Sequence, residues 1–277
     1  MLILNTINDC KNWRANQKSS VGFVPTMGAL HQGHLSLIQK SKKHCSKTIV
    51  SIYINPTQFS ENEDLSSYPK TITEDLNNLK KLKTDAVFLP TDEEMYPNME
   101  IEDFNYESPL FTKLEGKSRP HFFYGVTKIV SKLFNLVQPS HAFFGEKDAQ
   151  QSRIIKQMSA DLNYNIVIVS CPTVRDKKGL ALSSRNQYLS KAEQTKASII
   201  YQSLIVIKQL IQEGQKDVQV LKKAFILSVN GCADFTVDYI SVACNKSLKE
   251  LDVWRPESLI STAVFYKDVR LIDNLVY

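Results

Sequence analysis

The sequence lacks any apolar run near the ~20 residues that a membrane span needs. Its amino terminus, Met1-Leu-Ile-Leu-Asn-Thr6, lacks the basic-then-hydrophobic order of a secretory signal. Cysteines are few: Cys10, Cys45, Cys171, Cys232 and Cys244 are scattered and odd in number, with no CxxC pair. That usage fits free thiols in a reducing compartment better than a disulfide framework, so a cytoplasmic protein with no membrane partner is expected. Internal repeats, low-complexity tracts and His-Glu-x-x-His are also absent. Charge of one sign is never concentrated. The net +5 is too diffuse to argue for nucleic acid, and Lys40, Lys42, Lys43 and Lys47 read as a solvated helix face.

What is present is an ordinary globular composition: 277 residues, 43% hydrophobic and 23% charged, enough for one large or two ordinary domains. The chain is organised around residues 21–34, VGFVPTMGALHQGH. The apolar Val21–Val24 predicts a buried strand, broken by Pro25 and Gly28, and a helical pattern starts at His34. Imidazoles at His31 and His34 therefore sit at a helix mouth, where free N–H groups and a partial positive charge suit phosphate. Gly33 would let backbone approach a ligand closely. This is neither a six-residue dinucleotide fingerprint nor a Walker loop. By itself the pair is equally compatible with solvated helix-start histidines.

Beyond it, strands and helices alternate. Strands are expected at Thr48–Ile54, Ala86–Leu89, Ala142–Phe144 and Ile166–Val169. Helical spacing marks Ile72–Leu82, opened by a capping box at Thr71–Glu74, then Val126–Val137 and a helix that Asp148 could cap. This alternation predicts an α/β protein: a Rossmann-like, doubly wound parallel sheet with helices on both faces. After Pro172 the pattern changes. A capping box at Ser190–Glu193 leads into one long amphipathic helix through Ile211. A second helix covers Val218–Val229, strands are expected at Phe235–Ala243 and Ser261–Tyr266, and a charged tail carries Arg270 and Asp273. A smaller C-terminal α+β domain is expected, dividing the chain into 1–174 and 175–277.

In such sheets ligands lie beyond the carboxyl ends of strands. Four post-strand loops carry polar residues a core would not need. They hold His31 and His34; Gln58; Gly145-Glu146-Lys147-Asp148 with Gln151; and Ser183-Ser184-Arg185. Each is an ordinary polar turn if taken alone. Together they suit a single anionic ligand.

The stretches PTMGALHQGH (25–34), SIYINPTQF (51–59), DLSSYPKT (64–71), LEGKSRP (114–120), KLFNLVQP (132–139), FFGEKDAQQ (143–151), PTVRDKKGLALSSRNQYLS (172–190) and VRLIDN (269–274) together resemble the pantoate–β-alanine ligase family over nearly the whole chain. More distantly they are similar to other nucleotidyl-transferring α/β proteins, and a different adenylating enzyme is the alternative reading. The resemblance implies a ligase that joins pantoate to β-alanine through a pantoyl adenylate, consuming ATP with Mg2+ and acting as a homodimer. It implies that Met27, Gly28, Ala29 and Leu30 form the loop over the nucleotide. His31, Gln32, Gly33 and His34 would lie at its phosphates, His34 as proton donor. Gly145, Glu146, Lys147, Asp148 and Val174 would line the nucleotide pocket, with Lys147 neutralising charge at the reacting phosphorus. Leu182, Ser183, Ser184 and Arg185 would close over the phosphates, and Gln58 and Gln151 would hold pantoate. One departure stands out: His121-Phe122 replaces the family's usual Gly-His.

Overall fold

The structure, a computed structural model, describes residues 1–60, 63–97 and 104–277. A first sheet contains β1 (Leu2–Leu4), β2 (Val21–Thr26), β3 (Lys47–Ile52), β4 (Ala86–Phe88), β5 (His141–Gly145) and β6 (Val167–Cys171). Their order is β1-β4-β3-β2-β5-β6, and every pairing is parallel. The connections carry α1 (Ile7–Ala15), α2 (Gln32–His44), α3 (Ile72–Lys81), α4 (Asp92–Met95), α5 (Glu115–Ser118), α6 (Phe122–Val137) and α7 (Ala149–Asp161).

Successive strand residues point to opposite faces of the sheet. Phe23, Ile49, Phe88 and Phe144 pack with residues of α1, α6 and α7. Their neighbours Val24, Val50, Val87 and Phe143 pack against α2 and α3. Cover on both faces is why these strands read as continuous apolar runs rather than alternating ones.

A second sheet is antiparallel, in the order β7 (Phe235–Cys244), β8 (Ser258–Tyr266), β9 (Val269–Val276). Before it come α8 (Lys191–Ala197), α9 (Ile199–Gln212) and α10 (Val218–Asn230). Leu204, Ile207, Leu221 and Phe225 of α9 and α10 bury against Val242, Ile260 and Val264 of this sheet. A further apolar cluster joins the two parts of the chain: Leu114, Phe123 and Ile154 from the first meet Leu248 and Leu259 from the second.

Three local expectations are corrected. The long helix before residue 211 is two helices. The capping box at Ser190–Glu193 forms and opens α8, but the run breaks at Ser198, whose hydroxyl bonds the Thr195 carbonyl. The capping box expected at Thr71 does not form, because Thr71 makes no side-chain cap. The charged tail is a strand, β9, whose Asp273 is 4% exposed and ion-paired. Its charges broke the apolar pattern that would have marked it as a strand. β1 and α1 carried no signal in the pattern: β1 is three residues long, with Leu2 and Ile3 exposed.

β2 has β3 on one side and β5 on the other. The chain winds outward in both directions from this pair, so the loops after β2 and β5 part and leave a crevice between them.

Candidate active site

A cavity of about 690 Å³ lies at that crevice, lined from the loops after β2, β3, β5 and β6 and from β7, β8 and β9. Its size is typical of a site that encloses a small-molecule ligand.

The first wall follows β2. Met27 faces the cavity, while Ala29 is buried behind it at φ +50°, a left-handed conformation that is costly for a residue with a Cβ. Asp75 of α3 holds it there. Its buried carboxylate accepts from Ala29 N at 2.9 Å and Leu30 N at 2.7 Å. Burial pushes the Asp75 carboxyl above its ordinary range, and these two N–H groups pull against that.

α2 then begins at Gln32, two residues before the point the sequence pattern suggests, with His31 as its cap. His31 Nδ1 accepts from Gly33 N at 3.1 Å, and His34 Nδ1 accepts from His31 N at 3.4 Å. Two of the helix-mouth N–H groups, those of His31 and Gly33, are thus taken by imidazoles rather than left for a ligand. Gly33 also has a different use from the one its sequence suggests. A Cβ there would lie 2.7 Å from His31 Cε1, so the missing side chain makes room for the His31 ring. The two rings lie 4.1 Å apart, tilted by 33°. With each Nδ1 accepting from backbone, the proton of each neutral ring belongs on Nε2. Burial, then the Lys147 charge, pushes the His31 imidazole down to about 4, against a smaller opposing effect of Asp148. Burial, then His31 and Lys147, holds His34 well below the ordinary histidine range. At neutral pH both rings are uncharged N–H donors.

The second wall is the 3-10 turn Glu146–Asp148 after β5. Lys147 Nζ lies 3.4 Å from Asp148 Oδ1. Asp148 does not cap α7 as expected; its carboxylate stays beside the ammonium. Gly145 has φ −77°, open to any residue, and a Cβ there would meet nothing within 4 Å, so a sharp turn is not what it provides. On α7, Gln151 lines the cavity. Its neighbour Gln150 is structural, accepting from Glu115 N and donating to the Leu110 and Lys113 carbonyls.

The third wall is the 3-10 turn Pro56–Gln58 after β3. Gln58 Nε2 reaches Met27 Sδ at 2.9 Å. Asn55, 1% exposed, donates to the Gly125 carbonyl at 3.1 Å and accepts from Tyr96 Oη at 2.8 Å. A Cβ on Gly125 would stand 2.2 Å from the Thr57 carbonyl oxygen, so only glycine lets α6 carry this turn so closely.

The fourth wall follows β6. Leu182 N bonds the Val174 carbonyl at 3.0 Å, and Ser183 caps the 3-10 turn Ser184–Tyr188 by accepting from Arg185 N. Ser184 Oγ donates to the Ala29 carbonyl at 3.2 Å, which ties this loop to the one after β2. Arg185 forms a two-pronged ion pair with Asp64, whose oxygens accept from Nε at 2.9 Å and Nη2 at 2.7 Å.

Met27, His31, Gly33, His34, Gln58, Gly145, Lys147, Asp148, Gln151, Val174 and Leu182–Arg185 all line one cavity. Gly28, Ala29, Leu30, Gln32 and Glu146 do not line it. Gln32 is exposed, Ala29 and Leu30 sit behind the wall, and Glu146 contributes a carbonyl to a contact with Asn274. Asp64, Asp75 and Asn274 were not singled out from the sequence, because each acts on a partner remote in the chain. Two neutral imidazole donors, an ammonium, a guanidinium and the Ser183 hydroxyl line this one cavity, a donor set suited to a polyphosphate.

The sequence profile described as "Pantoate-beta-alanine ligase" matches residues 2–276. The chain belongs to the pantoate–β-alanine ligase family. The pantothenate synthetase of Acetivibrio thermocellus is 42% identical over 279 residues, covering 100% of this chain and 99% of the relative. That of Thermosipho africanus is 44% identical over 259 residues, covering 94% and 92%. Among solved structures, pantothenate synthetase from Thermus thermophilus matches with a TM-score of 0.95 at 36% identity, covering 100% and 99%. The pantoate–β-alanine ligase of Francisella tularensis, solved in complex with beta-gamma ATP and beta-alanine, matches at TM-score 0.79 and 33% identity, covering 100% and 97%.

Proposed function

We propose that this cavity carries out the ligase reaction of the family in two steps. The chain is an ATP-dependent enzyme of pantothenate biosynthesis that joins pantoate to β-alanine. In the first step a pantoate carboxylate oxygen attacks the α-phosphorus of ATP and pyrophosphate leaves. In the second the β-alanine amine attacks the acyl carbon, and AMP leaves with formation of the amide. The observation that carries this reading is the meeting of His31, His34, Lys147, Gln58, Gln151 and Arg185 on one cavity in a member of this family.

Each residue then has a physical task. An anionic nucleophile approaching a polyphosphate needs donors already placed where charge develops. His31 and His34 supply Nε2–H without the desolvation cost of a buried cation, and His34 is the donor to the departing phosphate. Lys147 neutralises the reacting phosphate. Gln58 and Gln151 hold pantoate, and Gln58 also serves β-alanine. Gly145 leaves open space beside the nucleotide; Asp148 and Val174 border it. Leu182 to Arg185 close over the phosphates, which keeps water from the acyl adenylate.

Among the described residues no group of three or more His, Cys, Asp or Glu could hold a metal ion. Magnesium would arrive on the triphosphate, with the Asp148 carboxylate on the cavity wall beside Lys147 as a group that could face it, and would supply charge neutralisation there. The division into 1–174 and 175–277, a homodimeric assembly and a cytoplasmic location belong to the same proposal. The division is supported by the end of the parallel sheet at Cys171 and by a second apolar cluster drawn only from residue 180 onward.

The test is pyrophosphate release from ATP with pantoate alone, followed by pantothenate formation once β-alanine is added. Release that ignores pantoate, or that requires a different acid, would sink the reading.

A further inference from the structure

β9 alternates its side chains across the small sheet, which places Arg270 and Asn274 on one face and Asp273 on the other. The outward pair reaches the first part of the chain. Arg270 bonds both carboxylate oxygens of Glu115, at 2.5 and 3.1 Å. Asn274 Nδ2 donates to the Glu146 carbonyl at 2.9 Å and to the Lys147 carbonyl at 2.8 Å. These are consecutive carbonyls of the turn that presents Lys147.

The turn has no side-chain cap of its own, from either Gly145 or Asp148. Asn274 by contrast is fixed. It is 7% exposed, and its N–H donates to Asp273 Oδ1 at 2.7 Å. Asp273 in turn takes both arms of the Arg175 guanidinium, at 2.6 and 2.8 Å. The orientation of the Lys147 turn is thus set by a side chain 127 residues further along, on the other sheet.

We infer that Asn274 is a positioning residue for Lys147, and that through it the seating of the small sheet determines where the ammonium points. This rests on the reading that Lys147 acts at the reacting phosphate. Two neutral hydrogen bonds make a modest net contribution to overall stability, one that the fold can lose. A displacement of about 1 Å at a reacting centre, however, costs on the order of 10²-fold in rate.

The experiment is a double-mutant cycle read by pantoate-dependent pyrophosphate release at saturating substrates. Asn274→Ala is expected to lose about 30- to 100-fold in rate, with an unchanged KM for β-alanine. In a Lys147→Ala background the same change should cost under about threefold, since its route of action is already gone. Losses that multiply would overturn the inference, as would a wild-type rate in Asn274→Ala. If Asn274→Ala fails to fold, Asn274→Ser, which keeps one donor, takes its place in the cycle and should lose less. A wild-type enzyme that releases no pyrophosphate with pantoate would fail the proposed function itself. A Lys147→Ala variant at full rate would overturn the positioning role together with the role of Lys147.

Discussion

Arg185 is paired two-pronged with Asp64 across the cavity wall, with Tyr188 Oη also on that carboxylate at 3.2 Å. Burial pushes the Asp64 carboxyl up, but the Arg185 guanidinium more than offsets this and holds it below its ordinary value. In the proposed reaction a phosphate oxygen would bind the same guanidinium. A polyphosphate would then compete with Asp64 for Arg185, and Asp64 would recover it when pyrophosphate leaves. A partly exposed pair of this kind contributes on the order of 1 kcal/mol. Asp64→Asn should consequently strengthen product inhibition by pyrophosphate about fivefold and lower KM for ATP by a similar factor. Inhibition constants measured on both proteins check this.

His34→Ala should keep the fold and lose about 10²- to 10⁴-fold in pantoate-dependent pyrophosphate release. Circular dichroism and a thermal melt establish the fold, and the release assay gives the rate. Near-normal turnover would remove His34 from the chemistry.

The His31 imidazole is held down to about 4 in the folded protein, against an ordinary value of 6.5. The unfolded chain takes up its proton first as pH falls, so stability is full above 6.5 and declines between 6.5 and about 4. The contribution reaches up to about 3 kcal/mol at the acid end. His31→Asn keeps a good helix cap and removes the titration. Urea melts at pH 7 should agree to within about 1 kcal/mol for the two proteins. Melts at pH 5 should show a smaller acid loss in the variant.

Asp75→Ala should release the left-handed turn at Ala29, because two backbone donors lose their acceptor in a buried place. A stability loss of about 2–4 kcal/mol is expected in denaturant melts, together with a higher KM for ATP as Met27 loses its backing.

Much of the large sheet was legible because its strands after β1 are short apolar runs, some closed at once by a breaker: Val21–Val24 before Pro25, Ala86–Leu89 before Pro90. The residues of the cavity were legible for a related reason. A parallel sheet gathers its post-strand loops at one edge, so polar residues after four separate strands point to one place. Three kinds of information were not local. β9 is a strand whose charged residues are satisfied by Arg175 and Glu115, far away in sequence, so its pattern looked like a solvated tail. Asp75 carries no local mark beyond its place in a first helical turn, since its partners are 45 and 46 residues back. Gly33 was read as room for a ligand, because the fold of the His31 ring onto its own helix leaves no mark in the letters.

The anchors of β9 have one more consequence. A single strand, eight residues long, holds Glu115 near one end and the Lys147 turn near the other, and through Asp273 the Arg175 guanidinium as well. Such a brace cannot slacken at one point while staying taut at the rest. Any parting of the two sheets along this strand would have to release those anchors together, which makes it a cooperative event.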